Sequence, residues 1–256
     1  MQFFTDTWTI FLRHVRATLR NPAFVIISIV QPILWLFLFG QLFSRVAAPS
    51  GLGSASYAQF LAPGIAIMAA LFGTAFSGVG LLYDINQGVV DRFLATPVSR
   101  GAVIAGRLLD VALQAMIQAL VLLLASFLVG ARPNGGLTGV ILVLVASGLL
   151  AIALASLSKG LALLLRNQEA VLGITNFVLL PMIFLSSMIL SRDLMPHWIQ
   201  VASAFNPVDW AVQVARASYE GSGWPVFGRE LLQLTAFAAA GYALALGSLG
   251  KYQKSI

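Results

Sequence analysis

Residues 137–157 read LTGVILVLVASGLLAIALASL, twenty-one positions without an acidic or basic side chain. At about 1.5 Å of rise per residue, a helix of this length covers the roughly 30 Å hydrocarbon core of a bilayer. Nothing in it alternates with period two, as a strand of a membrane barrel would. Five further blocks of the same kind occur at 23–43, 60–82, 111–129, 171–190 and 231–249. The 15 Lys and Arg and the 9 Asp and Glu of the chain all lie outside these blocks. With 59% hydrophobic and 9% charged residues and a mean hydropathy of +0.91, the chain is far from the usual soluble balance of about 45–50% apolar and about 25% charged. Lipid is the solvent this composition fits. The expected fold is an all-α integral membrane protein with six transmembrane helices, an N-terminal amphipathic helix over 1–22 and one membrane domain over 23–256.

The first apolar block is longer than the roughly 7–15 residues of a cleaved signal core, so it reads as a span. The short loops set the orientation. With the N-terminus inside, the inner side carries Arg13, Arg16, Arg20, Arg92, Arg100, Arg107, Lys159, Arg166, Lys251 and Lys254. The outer side then carries Arg45, Arg132, Arg192, Arg216 and Arg229. Ten against five predicts both termini in the cytoplasm of a multi-pass protein of the cell (inner) membrane. Basic residues spaced between apolar blocks, rather than gathered on one face, argue against nucleic acid as a partner.

Ahead of the first span, Phe4, Trp8, Phe11, Leu12, Val15 and Leu19 recur at helical spacing, while Arg13, Arg16 and Arg20 fall off that stripe. Such a helix suits the cytoplasmic interface of an anionic bilayer, with membrane lipids as its partner, and Asn21-Pro22 ends it. Between the fifth and sixth blocks, 191–230 is too polar to span and too patterned for plain loop. Asn206-Pro207 followed by Asp209 is an N-cap, a proline at the first helical position and an acid in the first turn. Two short helices, about 196–204 and 207–219, are predicted on or dipping into the outer leaflet, with Trp198, Trp210 and Trp224 at the depth that indole rings favour.

Enzymatic machinery is thin. Cysteine is absent, and the two histidines, His14 and His197, fall on opposite sides of the expected membrane, so neither a metal centre nor thiol chemistry is predicted. A nucleotide-binding P-loop needs Gly-Lys followed by Ser or Thr; here Gly250-Lys251 is followed by Tyr252. The chain is expected to bind no cofactor and to catalyse no reaction. If ATP and magnesium drive it, they sit on another polypeptide.

The stretch 86–110, NQGVVDRFLATPVSRGAVIAGRLLD, holds five charged side chains, Asp91, Arg92, Arg100, Arg107 and Asp110, with a proline at its centre. Val89, Val90, Phe93, Leu94 and Pro97 share one face of a short helix, with Asp91, Arg92 and Ala95 on the others. That helix should stop at Ala95, because the residue before a proline avoids the α region. Thr96-Pro97 or Ser99 then starts the next helix, which runs through Arg107 and Asp110 into the third span. The alternative for this short helix is one lying flat on the bilayer.

GVVDRFLATPVSRGAVIAGR resembles the loop between the second and third spans of type-2 ABC transporter permeases of the daunorubicin-exporter kind, through Gly88, Asp91, Arg92, Phe93, Pro97, Ser99, Arg100 and Gly106-Arg107. Gln31-Pro32-Ile33-Leu34-Trp35, Arg166-Asn167-Gln168-Glu169-Ala170 and Phe205-Asn206-Pro207 resemble further motifs of that family. Many members carry an acid near position 87, where this chain has Gln87. The resemblance implies that 86–100 and 159–169 dock on two copies of a cytoplasmic ABC ATPase, and that a second permease copy or a paralogue completes a dimer. Asp91, Arg92, Arg100, Arg166 and Glu169 are then expected as polar contacts, with Phe93, Leu94 and Pro97 for packing and rigidity.

Inside the membrane, Asp110, Gln114 and Gln118 form an i, i+4, i+8 stripe, and Arg107 with Asp110 reads as an interfacial ion pair. Gln114, Gln118 and Asn176 are candidates either for a translocation path or for helix–helix contacts. Ala239, Ala243 and Gly247 read as a packing stripe. The function expected is the membrane subunit of an ATP-driven exporter of amphipathic drug-like or lipid-like molecules, with antibiotic resistance by efflux as one outcome. The alternatives are a polysaccharide or glycolipid exporter, a self-sufficient secondary transporter, and an assembly protein that organises other membrane components. No ionisable group near mid-membrane supports ion coupling.

Overall fold

A computed structural model describes residues 2–20, 30–38, 54–94, 98–188, 190–222 and 224–254, and among these every regular element is helical. In chain order they are α1 (Gln2–Leu19), α2 (30–38), α3 (Ser54–Ala75), α4 (Ser77–Asn86), α5 (Val89–Leu94), α6 (Arg100–Ser126), α7 (Gly136–Leu165), α8 (Gln168–Phe184), α9 (His197–Ser203), α10 (Pro207–Glu220) and α11 (Trp224–Gln253), with single 3₁₀ turns at Phe127–Val129 and Arg192–Leu194.

Among the described residues, four helical stretches are long and apolar enough to cross a membrane: Gln59–Asn86, which joins most of α3 to α4, Gly101–Ser126, Gly136–Leu165 and Phe227–Gln253. They coincide with the expected second, third, fourth and sixth spans. Most of the expected first span, and the Asn21-Pro22 break before it, lie outside the described residues, with α2 its described part. The fifth, α8, has 17 residues, short for a straight crossing.

The centre of the bundle is α7, against which α3, α4, α6, α10 and α11 all pack. Its buried face carries Gly139, Ala146, Ser147, Gly148, Ala151, Ala155 and Gly160. In lipid there is little hydrophobic drive between helices, so small residues that let backbones approach decide the contacts. At Gly78, an added Cβ would run into the carbonyl of Ser158 on α7, and the Gly78 amide donates to Ser158 Oγ at 3.0 Å. Thus α7 supplies the acceptor for a first-turn amide of α4, whose own Phe76 makes no side-chain cap.

On α11 the stripe Ala239, Ala243 and Gly247 is exposed, and nothing lies within 4 Å of a Cβ at Gly247. The packing face is its neighbour, Ala238, Gly241, Ala245 and Ser248, where a Cβ added at Gly241 would stand 3.2 Å from the Ala153 carbonyl oxygen. A small-residue period is legible on both faces; which one meets α7 is set by the partner.

The amphipathic α1 stands along α6. Phe3 meets Gly101, Thr7 and Ile10 meet Gly106, and Thr18 accepts a hydrogen bond from Gln114, so the two helices run side by side in the same direction. Ile10 and Thr7 are buried, whereas Phe4, Trp8 and Leu19 are exposed. The apolar stripe read from the sequence therefore faces outward, and a second face, Thr7–Ile10–His14, docks on the protein.

Candidate functional site

The segment between α4 and α6, expected on the cytoplasmic side, is short and tied at both ends. Gly88, at φ +68°, joins α4 to α5, in the left-handed region that glycine enters at little cost. The expected short helix forms as Val89–Leu94, with Val90 buried in the core between α4, α6, α7 and α11 and Arg92 exposed. The side chains of Asp91, Phe93, Leu94 and Arg100, and all of Ala95, Thr96 and Pro97, lie outside the described residues. Ser99 starts α6, its Oγ accepting from the Ala102 amide at 3.3 Å. The Ser99 amide donates to Asp6 Oδ2 of α1 at 3.4 Å, and Tyr242 of α11 donates to the Gly101 carbonyl at 3.1 Å. Three helices thus fix the point where the segment enters the third span.

The turn between α7 and α8 is equally tight. Arg166, at φ +51°, ends α7, and its guanidinium lies 4.7 Å from the centre of the Tyr252 ring on α11. Asn167 Oδ1 caps α8 through the Ala170 amide at 2.9 Å, and Glu169 sits in the first turn, where the helix dipole favours an acid. Arg166 and Glu169 are exposed. Lys159, expected at the start of this docking surface, is instead only 3% exposed, because α7 continues to Leu165 and turns that side chain inward.

Lys159 belongs to a buried charged group that the sequence pattern paired differently. Arg107, 4% exposed, makes its ion pair with Asp84 of α4 at 2.8 Å, not with Asp110. Asp110 Oδ2 instead accepts from Gln114 Nε2 at 2.9 Å. Asp84 escaped notice because it stands alone at the end of the second block, with no period to mark it.

His14 closes this group from α1. Its ring is held down to a pKa of about 4 from its ordinary 6.5, first by burial, then by Arg107, Arg13 and Lys159. The folded chain prefers the neutral ring, so unfolding takes up a proton below pH 6.5. The stability is whole above that pH and is lost as pH falls toward 4, at up to about 1.4 kcal/mol per unit. Thermal unfolding in detergent should therefore weaken between about pH 7 and pH 5, with His14→Gln flattening the profile; an unchanged slope in the variant would refute this assignment.

Of the candidates for a path, Gln114 bridges Thr18 of α1 and Asp110. Gln118 is buried, and Gly73 allows its amide to reach α3: a Cβ at Gly73 would stand 2.9 Å from Gln118 Oε1. Asn176 is exposed on α8 and donates to the Leu172 carbonyl of its own helix at 3.0 Å. The structure does not bring these three together. It opens instead a cavity of about 540 Å³ between α2, α3, α4 and Leu172 of α8, lined by Gln31, Pro32 and Trp35 and by Phe72, Phe76 and Ser77. Ser77 Oγ is buried without a hydrogen-bond partner. A mainly apolar cavity with a few polar groups is the usual form of a small-molecule site.

The model of the family described as "ABC-2 type transporter" matches residues 5–219. The chain belongs to the ABC-2 type transporter family. A daunorubicin resistance ABC transporter permease protein of Streptomyces coeruleorubidus is 30% identical over 225 residues, 86% of this chain and 77% of that protein. A Porphyra purpurea protein with a transport-permease name is 30% identical over 206 residues, 80% of this chain and 70% of its own. A Mycobacterium tuberculosis protein named for doxorubicin resistance as an ABC transporter permease is 29% identical over 201 residues, covering 77% and 70%. This ABC-2 chain is accordingly a membrane permease subunit of an ABC transporter.

The end of this ABC-2 permease at which α8 stops is held by a polar network. α8 ends at Phe184, and in an apolar solvent the free carbonyls of a helix end are costly. Asn206 Nδ2 donates to the Met182 and Leu185 carbonyls at 2.7 and 2.9 Å, while its Oδ1 caps α10 through Val208 N at 3.0 Å. Arg216 Nη2 donates to the Ser187 carbonyl at 2.8 Å, with its guanidinium 3.7 Å from the Phe60 ring centre. Asp209, with no exposed surface, accepts from the Ser187 amide at 2.7 Å and from Arg192 Nη2 at 2.6 Å. The caps read from the sequence are present, and they also satisfy the broken end of a neighbouring helix. Hence α10 is built into the bundle, packed on α3, α7 and α11.

Proposed function

We propose that this ABC-2 permease exports an amphipathic drug-like or lipid-like molecule across the cell (inner) membrane, worked by a separate ATPase that binds ATP and magnesium. Six spans with both termini cytoplasmic fit the arrangement, with α1 at the cytoplasmic interface and a second permease copy or paralogue opposite. The observation that carries the reading is the short helix α5, anchored by Val90, tied by Gly88 to α4 and by Ser99 to α6, with Arg92 outside. A rod fixed in this way passes rigid-body displacement of a docked subunit to two spans without chemistry in the membrane. Exposed Arg166 and Glu169 extend the docking surface. The cavity between α2, α3, α4 and α8 is the place where an apolar body with one or two hydrogen-bonding groups enters, with Gln31 and Ser77 as its polar contacts. The drug-resistance names of the relatives favour such a cargo.

The test is reconstitution with the cognate ATPase in proteoliposomes, following ATP-driven uptake of daunorubicin. The Arg92→Ala, Phe93→Ala double variant should lose co-purification with the ATPase, or transport, by about tenfold or more. Wild-type behaviour of the variant would remove the docking assignment.

A further inference from the structure

Asp84 from α4, partly exposed, meets the buried Arg107 and Asp110 of α6 and Lys159 of α7, with His14 of α1 close to them. Two cations and two carboxylates are present, yet only Arg107 Nη1 and Asp84 Oδ2 are in contact, at 2.8 Å. Arg107 Nε and Nη2, Lys159 Nζ and Asp110 Oδ1 are buried without a hydrogen-bond partner. Lys159 lies within electrostatic range of Arg107 and of both acids. A buried ion left unmatched is costly, so these groups call for an explanation.

The position of the cluster suggests one. Asp84 stands five residues before α5 begins, and Arg107 lies two turns into α6, just beyond the segment's other end. A displacement of α5 therefore strains the Asp84–Arg107 contact directly. Asp110 offers Arg107 a second acceptor three residues along the same helix, a spacing at which side chains meet. Lys159 can neutralise whichever carboxylate Arg107 leaves.

We propose that Arg107 is the moving member of a charge-exchange latch: it holds Asp84 in the conformation described here and turns to Asp110 when the docked segment is displaced, while Lys159 takes Asp84. The four are positioning residues for coupling, and the inference rests on the reading of 86–100 as the point where an ATPase acts. No net charge moves, so the exchange needs no ion gradient.

Asp110→Asn separates the latch from a static role. It keeps an acceptor for Gln114 and leaves the Asp84–Arg107 pair untouched, but removes the second anchor. In proteoliposomes holding the full chain and its ATPase, transport per ATP hydrolysed should fall about tenfold in this variant, the scale of a typical coupling energy. A second measurement does not depend on transport. The chain lacks cysteine, so spin labels on cysteines at exposed Tyr83 and Leu109 report the α4–α6 separation alone. Two distances whose proportions shift between nucleotide-free and vanadate-trapped complex are expected, and a single distance with Asp110→Asn. Normal coupling in Asp110→Asn, or one unchanging distance in the unmodified background, overturns the latch. Failure of the unmodified chain to transport at all overturns the functional reading, and the latch with it.

Discussion

Asp209→Ala is expected to lower stability by about 2–3 kcal/mol, the cost of leaving a buried donor without its acceptor. For a chain of this size that corresponds to a drop of roughly 4–12 °C in the thermal midpoint in detergent. The carboxylate has no exposed surface and holds two partners from outside its helix, the Ser187 amide at 2.7 Å and Arg192 Nη2 at 2.6 Å. Without it the Ser187 amide is stranded in an apolar setting, and the non-helical backbone after α8 loses a main tether. Arg192 is one-third exposed and can turn to water, so the greater part of the loss comes from the amide and from unpinning α10. Asp209→Asn keeps one acceptor and should lie between. A midpoint for Asp209→Ala within a degree or two of the parent would mean that this network does not hold α10 in place.

Gly78→Ala is expected to disrupt the α4–α7 contact. The added methyl would meet the Ser158 carbonyl oxygen, with the carbonyl carbon at 2.6 Å and Oγ at 2.7 Å. Two of these three atoms are backbone, so no rotamer change relieves the clash and the helices must part. Overpacking of this kind costs about 1–3 kcal/mol or more. The same separation draws Asp84 away from the cluster that Lys159 enters from α7. Gly80→Ala on the same helix meets open space and should gain up to about 1 kcal/mol, because alanine suits a helix better than glycine. Unfolding curves for the two variants, measured side by side, check the contrast; equal stabilities would show that α4 and α7 do not approach this closely.

The features legible in the sequence are those that local physics determines. Charge-free blocks of about 20 residues gave four helices their places, and Asn206-Pro207-Val208-Asp209 gave the start of α10 to the residue. The cap at Ser99 was likewise local and readable. What was not readable depends on which helix stands beside which. Arg107 has an acid three residues along its own helix, which a periodic reading selects, but the structure pairs it with Asp84, 23 positions back. Lys159 looked like a loop charge because the apolar block ended two residues earlier, whereas α7 runs on and turns it inward. The face of α1 that docks, Thr7–Ile10–His14, is weakly apolar and was hidden behind a stronger stripe on the other side.

The Gly78–Ser158 contact bears on how the protein is made. The amide that opens α4 finds its acceptor 80 residues later in the chain, so α4 leaves the ribosome without that partner. It reaches its final geometry only after α7 has been made. During synthesis α4 waits for α7, and mutations at Ser158 should act first on yield rather than on the finished protein.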